Sequence, residues 1–385
     1  MKFIDLAAQQ ARIRERIDAR IRAVLDHGQY IMGPEVGELE RELAGFTGVR
    51  FALGCASGTD ALLMALMAKE VGPGDAVFTT PFTFIATAEV VSLLGATPVF
   101  VDVDPATFNL SPAGLERAVE AVRTGSPEMH PLPANFAGLR PRGIIGVDLF
   151  GLPAEYDAIQ GVADRNGLFV IEDAAQSFGA EYKGRRACGL AEMGCTSFFP
   201  AKPLGAYGDG GAVFTDDEAL AERMVSVRVH GQGTDKYDND RIGINGRLDA
   251  IQAAVLLVKM EIFPEEVRLR QAAAERYTRG IAEIDGLTPP FVPEGMTSVY
   301  AQYSVLARDG GRRTELQAAL QADGIPSVIY YPKPLHLQRA FASLGYSEGQ
   351  FPVAEDCSRR IFSLPMHPYL TREEQERVIG ALRLP

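Results

Sequence analysis

One lysine, Lys202, stands between an apolar run and a glycine cluster in Ser197-Phe198-Phe199-Pro200-Ala201-Lys202-Pro203-Leu204-Gly205-Ala206-Tyr207-Gly208-Asp209-Gly210-Gly211. Thr196 to Phe199 reads as the end of a buried strand, and the glycines at 205, 208, 210 and 211 let backbone approach a bound group closely. An amine held there loses water, its pKa falls, and it becomes a nucleophile toward aldehydes. The same segment also suits a surface lysine in an ordinary strand-loop-strand connection. Upstream, Leu168-Phe169-Val170-Ile171 runs into Glu172-Asp173-Ala174-Ala175-Gln176-Ser177. A continuous apolar stretch is the pattern of a parallel strand buried on both faces, and ligands of open α/β sheets gather at the carboxyl ends of such strands. A carboxylate at position 173 would hold a pyridine nitrogen protonated there; the alternative is a helix N-cap. A third element, Gly54-Cys55-Ala56-Ser57-Gly58-Thr59-Asp60, follows the short strand Phe51-Ala52-Leu53 and opens an amphipathic helix reaching about Lys69. Small residues at a helix start offer free N–H groups and the positive dipole end to a phosphate, or else Ser57 or Thr59 simply caps the helix. The segment is neither a Walker A sequence nor a GxGxxG fingerprint.

These groups need a frame. Strand patterns at Phe51–Leu53, Ala76–Thr79, Pro98–Asp102, Gly143–Asp148, Leu168–Ile171, Cys195–Phe199 and Gly211–Thr215 alternate with helical ones. Such alternation predicts a largely parallel sheet covered by helices. A lead-in helix is expected over Arg12 to Leu25, and a long one from Leu248 toward Ile284, broken near Phe263-Pro264. Beyond about Pro290 the pattern changes, with strands at Tyr300–Ala307 and Ser327–Tyr330 and helices at Arg312–Ala322 and Pro352–Arg360. The expected organisation is α/β, with a large domain over residues 1–250 and a smaller α+β domain over 251–385. The segment from Arg123 to Arg142 is long and proline-rich, and His130 within it is expected to be solvated, with no chemical role.

In chain order the motifs are the Ser57-Gly58-Thr59 turn, the aromatic segment Thr80-Pro81-Phe82-Thr83-Phe84, Asp173-x-x-Gln176 and Ser197-x-x-x-x-Lys202. With this set the chain resembles the sugar aminotransferases that use pyridoxal 5′-phosphate, the DegT/DnrJ/EryC1/StrS group of fold type I. The resemblance runs from Tyr30-Ile31-Met32-Gly33-Pro34 to Pro332-Lys333-Pro334-Leu335-His336. It implies that Lys202 binds the cofactor covalently and later moves the substrate proton, and that Asp173 pairs with the pyridinium nitrogen. It further implies that Phe84 stacks on the ring, that Ser57, Gly58, Thr59 and Ser197 hold the phosphate, and that Gln176 lies near the ring hydroxyl. Asn245, in Gly243-Ile244-Asn245-Gly246-Arg247, matches an asparagine that reaches the phosphate of a neighbouring subunit's cofactor, which implies a homodimer with shared active sites.

The implied amino donor is L-glutamate and the acceptor a nucleotide-linked keto-sugar. The wording around Lys202 and Asn245, with Val227-Arg228-Val229-His230-Gly231-Gln232, is similar to the branch acting on UDP-linked 2-acetamido-3-keto-hexuronic acids in surface polysaccharide biosynthesis. Arg228, His230, Lys236 and Arg241 are the cations that a uronate carboxylate and a diphosphate would need, unless they are solvated loop charges. Tyr331 and His336 fall in a segment that resembles a sugar-facing loop, although a buried hydrogen-bonding role suits His336 equally. His27 and His367 receive no role. Alternative readings are amination of a dTDP- or GDP-4-keto-6-deoxy sugar, a sugar dehydratase of the same fold, and a non-enzymatic regulator. The related dehydratases carry histidine where Lys202 stands, and a regulator would be marked by loss of Lys202 or Asp173.

Composition is compatible with this. The net charge of −12 argues against non-specific nucleic-acid binding. The four cysteines, Cys55, Cys188, Cys195 and Cys357, show neither CxxC nor zinc spacing, so a reduced cytoplasm is expected and no metal. The N-terminus lacks a signal-peptide shape, and no apolar run reaches the roughly 20 residues of a membrane span.

Overall fold

The computed structural model describes residues 1–235 and 237–383. Two helices, α1 (Leu6–His27) and α2 (Pro34–Thr47), precede β1 (Phe51–Cys55), α3 (Gly58–Ala68), β2 (Asp75–Thr79), α4 (Ala86–Leu93) and β3 (Thr97–Phe100). Then come α5 (Pro112–Thr124), β4 (Arg140–Val147), α6 (Tyr156–Asn166), β5 (Phe169–Asp173), the short β6 (Glu181–Tyr182) and β7 (Arg185–Arg186), β8 (Met193–Ser197) and β9 (Gly211–Thr215). The chain continues through α7 (Glu218–Arg228), α8 (Ala250–Ile281), β10 (Leu287–Thr288), β11 (Met296–Thr297), β12 (Tyr303–Ala307) and α9 (Gly310–Ala322). It closes with α10 (Pro352–Arg360), β13 (Ile361–Leu364) and α11 (Arg372–Leu382).

The central sheet has seven strands in the order β1-β9-β8-β5-β4-β2-β3. Only the pairings of β9, with β8 and with β1, are antiparallel. This is the mostly parallel α/β sheet expected, with all seven strands where the patterning places them. β5 lies between β4 and β8 and is buried along its length, which is why its sequence shows no alternation. Asp173 ends β5 and Ser197 ends β8, so both motifs emerge at the same carboxyl edge. Because β9 runs the other way, its first residue, Gly211, pairs with Ser197 and with Cys55 at that edge.

Helix α8 is 32 residues long and passes through Pro264 without the expected break. Proline removes one ladder bond, but packing on both sides of it holds the helix together. The first half, with Ala253, Ala254 and Leu257, packs with α2 and the sheet. The last turns, with Ala273, Tyr277 and Ile281, pack with β12, β13, α9 and α11. The small three-stranded sheet here is β10-β12-β13, so Ile361–Leu364 supplies the strand expected at Ser327–Tyr330. That segment makes one bridge, Val328 to Ser363.

The proline-rich connection after α5 is fastened down: Ala134 N donates to Leu344 O at 2.7 Å and Asn135 Nδ2 to Thr97 Oγ1 at 3.0 Å. His130 is buried rather than solvated, with Nε2 2.7 Å from Phe100 O. All four cysteines are buried and unpaired. Among the described residues no helix is long and apolar enough to cross a membrane.

Candidate active site

At the carboxyl edge of the sheet the backbone is packed as closely as it can be. A Cβ on Gly58 would lie 2.6 Å from Ser197 Cβ, and one on Gly211 would lie 2.4 Å from Ser57 O. Glycine at both positions therefore brings the start of α3 against Ser197. Ser57 caps α3, its Oγ accepting from Asp60 N at 3.0 Å, while Ala61 N bonds to Ser57 O. The Gly58 and Thr59 N–H groups have no intrahelical acceptor at a helix start, and they face the dipole's positive end. Capping and anion binding thus coexist in one turn: the serine oxygen serves Asp60 and leaves the first two N–H groups for a ligand.

Asp173 is 6% exposed. Its Oδ2 accepts from Thr87 Oγ1 at 2.7 Å and its Oδ1 from Ala175 N at 3.2 Å. Burial raises its pKa, and the Thr87 hydrogen bond and the Lys202 charge oppose that. Lys202, partly exposed in the cleft, is shifted the other way: burial lowers its pKa and Asp173 opposes the shift. Burial thus eases loss of the amine's proton, while the Asp173 charge acts against it. Gln176 is pinned at one end, Oε1 accepting from Phe150 N at 2.8 Å, and at the other donates Nε2 to Tyr331 OH at 3.3 Å. The Tyr331 ring lies 6.4 Å from that of Phe84, which is 54% exposed. Contacts and charge thus link Lys202 to Asp173, Asp173 to Tyr331, and Tyr331 to Gln176 and Phe84, with Ser57, Gly58, Thr59 and Ser197 on neighbouring strand ends.

The remaining expected residues lie elsewhere. Arg228 is not a substrate cation: it is 4% exposed, and its Nη1 donates to Glu40 Oε1 at 2.6 Å and to Gly54 O at 2.8 Å. Glu40 Oε1 also accepts from Gly54 N, so the ion pair grips both polar groups of one residue in β1. His336 takes the buried role, Nε2 lying 3.1 Å from Glu355 Oε1, and is not a sugar contact in this chain. His230, Arg241 and Asn245 lie exposed on the strap after α7, where Asn245 bridges to Val229. Lys236 lies outside the described residues. Sequence reasoning missed Thr87, whose hydroxyl holds Asp173; the two lie 86 residues apart, and no local pattern marks the pair.

The model of the DegT/DnrJ/EryC1/StrS aminotransferase family matches residues 11–383. The chain belongs to this family. It is 48% identical, over 99% of both chains, to the UDP-2-acetamido-2-deoxy-3-oxo-D-glucuronate aminotransferase of Pseudomonas aeruginosa. A crystal structure of a family aminotransferase from Brucella abortus is 50% identical and superposes with a TM-score of 0.93, covering 100% of this chain and 98% of that one. The Bacillus subtilis protein NtdA, solved with bound pyridoxamine phosphate, is 27% identical with a TM-score of 0.85, covering 99% of this chain and 82% of that one. Membership makes the chain an aminotransferase.

Proposed function

We propose that the chain moves an amino group from L-glutamate to a nucleotide-linked keto-sugar, UDP-2-acetamido-2-deoxy-3-oxo-hexuronic acid, with pyridoxal 5′-phosphate as cofactor. The observation that carries the reading is a buried carboxylate facing a pKa-lowered lysine beside an open helix start, in a chain nearly half identical to an enzyme of that activity. The cleft fits the cofactor: a carboxylate for a ring nitrogen, an amine for an aldehyde, and bare N–H groups for a phosphate. When bound, the cofactor supplies a protonated ring that draws in the electrons of a broken Cα–H bond. Everything else falls to side chains. Gly58, Thr59, Ser57 and Ser197 hold the phosphate end. Asp173, kept in place by Thr87, pairs with the ring nitrogen's proton. Phe84 and Gln176 hold the ring's face and its hydroxyl. Lys202 Nζ would hold the cofactor's aldehyde carbon, with loss of water, and, once freed by the donor's amine, would take and return the proton at the donor's Cα. The sugar half-reaction uses the same groups in reverse, giving ping-pong kinetics.

The acceptor's carboxylate needs a paired cation, since burying it unpaired costs several kcal/mol. With Arg228 committed to Glu40, Arg241 and His230 take that role from the exposed strap. The strap also carries Asn245, so the working unit in this reading is a homodimer in which each strap completes its partner's site. Exposed Tyr30, Ile31, Met32 and Phe199, together with Ile242 at 85% exposure, are the apolar surface that such a pairing would cover. The setting is the cytoplasm, where nucleotide sugars for surface polysaccharide would be made.

The reading is tested by running purified enzyme in reverse with 2-oxoglutarate on UDP-, dTDP- and GDP-linked amino sugars. The UDP-3-amino uronate should be the preferred substrate, and Lys202→Ala should abolish multiple turnover. Equal or better use of a dTDP-4-amino-6-deoxy sugar would overturn the substrate assignment.

A further inference from the structure

A second lysine bonds to the loop that bears Lys202 and has no part in the chemistry above. Lys259, on α8, is 1% exposed and ranks among the largest fully buried side chains of the protein. A buried ammonium is costly unless it is paired, and Lys259 makes no ion pair among the described residues. Burial draws its pKa down to about 8, opposed by the charge of Glu266, two turns further along the same helix. Its one hydrogen bond runs from Nζ to Gly205 O at 2.6 Å, and Nζ lies 4.4 Å from the centre of the Tyr207 ring. An apolar side chain would fill this core position at far smaller cost, so the carbonyl of Gly205 is what the charge serves.

That carbonyl belongs to the loop bearing Lys202. The loop folds back on itself: Lys202 N donates to Phe199 O at 2.8 Å and Ala206 N to Phe198 O at 2.7 Å. A Cβ on Gly205 would lie 2.4 Å from Pro200 O, so only glycine lets the segment after Lys202 press against the segment before it. Seven residues before Lys259 on α8, Gln252 accepts from Tyr207 N through Oε1 at 2.9 Å. Residues seven apart share a helix face. One face of α8 therefore grips the loop twice, at a carbonyl through Lys259 and at an N–H through Gln252.

We propose that Lys259 and Gln252 are positioning residues for Lys202: together they clamp the loop from Pro200 to Tyr207 onto α8 and fix where the reactive amine stands in the cleft. The clamp is a property of the folded chain, whereas its catalytic consequence rests on the proposed role of Lys202. Placement of a reacting group within a fraction of an ångström is worth large factors in rate, so loosening its support lowers kcat before it affects substrate affinity.

The test is Lys259→Met in the holoenzyme, followed by amide hydrogen exchange and steady-state kinetics. Methionine removes the buried charge but leaves Gly205 O without its donor, so the two effects on global stability oppose each other. The amides of Ala206 and Tyr207 should exchange about tenfold faster while the other sheet strands keep their protection. The kcat should fall about tenfold, with KM for both substrates within about twofold of the wild type. Unchanged exchange in the loop, or exchange raised equally throughout the chain, overturns the clamp; a faster loop with unchanged kcat overturns its catalytic consequence. If Lys259→Met does not fold, Gln252→Leu is read the same way at the Tyr207 amide, where faster exchange sustains the clamp and unchanged exchange overturns it. A Lys202→Ala enzyme that still turned over would remove the kinetic consequence alone and leave the exchange result to decide the clamp.

Discussion

Replacing Arg228 by alanine separates a structural cation from a substrate-binding one. The guanidinium is buried against Glu40 and Gly54 O, and Glu40 in turn accepts from Gly54 N. Alanine leaves the Gly54 carbonyl without the guanidinium and the Glu40 carboxylate with Gly54 N but no counter-charge. Breaking one side of a buried ion pair costs about 3–5 kcal/mol, because the other charge stays buried and unpaired. With an unfolding entropy of about 2.1 cal/mol/K per residue over 385 residues, that cost lowers Tm by about 4–6 °C. Glu40→Gln should destabilise in the same direction, and the double variant should lose less than the sum, since the two side chains act as a unit. Thermal unfolding of the cofactor-saturated proteins measures both effects. KM for the sugar nucleotide should stay within about twofold of the wild type for Arg228→Ala, whereas Arg241→Ala should raise it about tenfold with Tm unchanged. An Arg228→Ala protein that melts with the wild type and has a tenfold raised KM refutes the structural assignment.

Asp173→Asn should keep the Thr87 hydrogen bond yet slow single-turnover reaction with glutamate by about 100-fold or more, since the charge facing the ring is gone. A wild-type rate would mean that the ring nitrogen has another partner. Mixing Lys202→Ala chains with Asn245→Asp chains should restore about a quarter of wild-type activity, because half the dimers are mixed and each holds one site free of both lesions. Mixed dimers that form and stay inactive argue against a shared site. Burial, and then the Arg270 charge, push the His367 imidazole down to about 4. The chain is thus favoured with this ring neutral: the contribution is complete above the ordinary value of 6.5 and is lost as pH falls from there through about 4. Urea unfolding of His367→Gln should show a shallower loss of stability across that window, and an unchanged slope would rule His367 out as its source.

The frame was legible because its signals are local. Leu168 to Asp173 announces a doubly buried strand, and the strand dictates that Asp173 emerges at the ligand-binding edge. The glycines at 205, 208, 210 and 211 marked a place of close backbone approach, and a Cβ on Gly211 would collide with Ser57 O. What failed to show depends on partners far away in sequence. Arg228 reads as one more loop cation until Glu40, 188 residues earlier, is laid against it. His130 finds the carbonyl of Phe100, and His336 finds Glu355, through packing that no window of sequence contains. Lys259 was invisible for the opposite reason, since a lysine in a helix is ordinarily read as a solvated one. Pro264 misled because a local helix breaker was outweighed by packing on both flanks of α8.

The four buried thiols give the protein an internal record of its own opening. Alkylating reagents attack the thiolate, and burial raises the pKa of Cys55, Cys188, Cys195 and Cys357 alike. The intact molecule is therefore silent to such reagents, and each labelling event dates a local excursion from the native state. Cys55 on β1 and Cys195 on β8 sit on either side of β9 and report the central sheet, while Cys357 on α10 reports the C-terminal region. At reagent concentrations high enough that every exposure is captured, the order in which the four masses appear is the order in which the molecule comes apart.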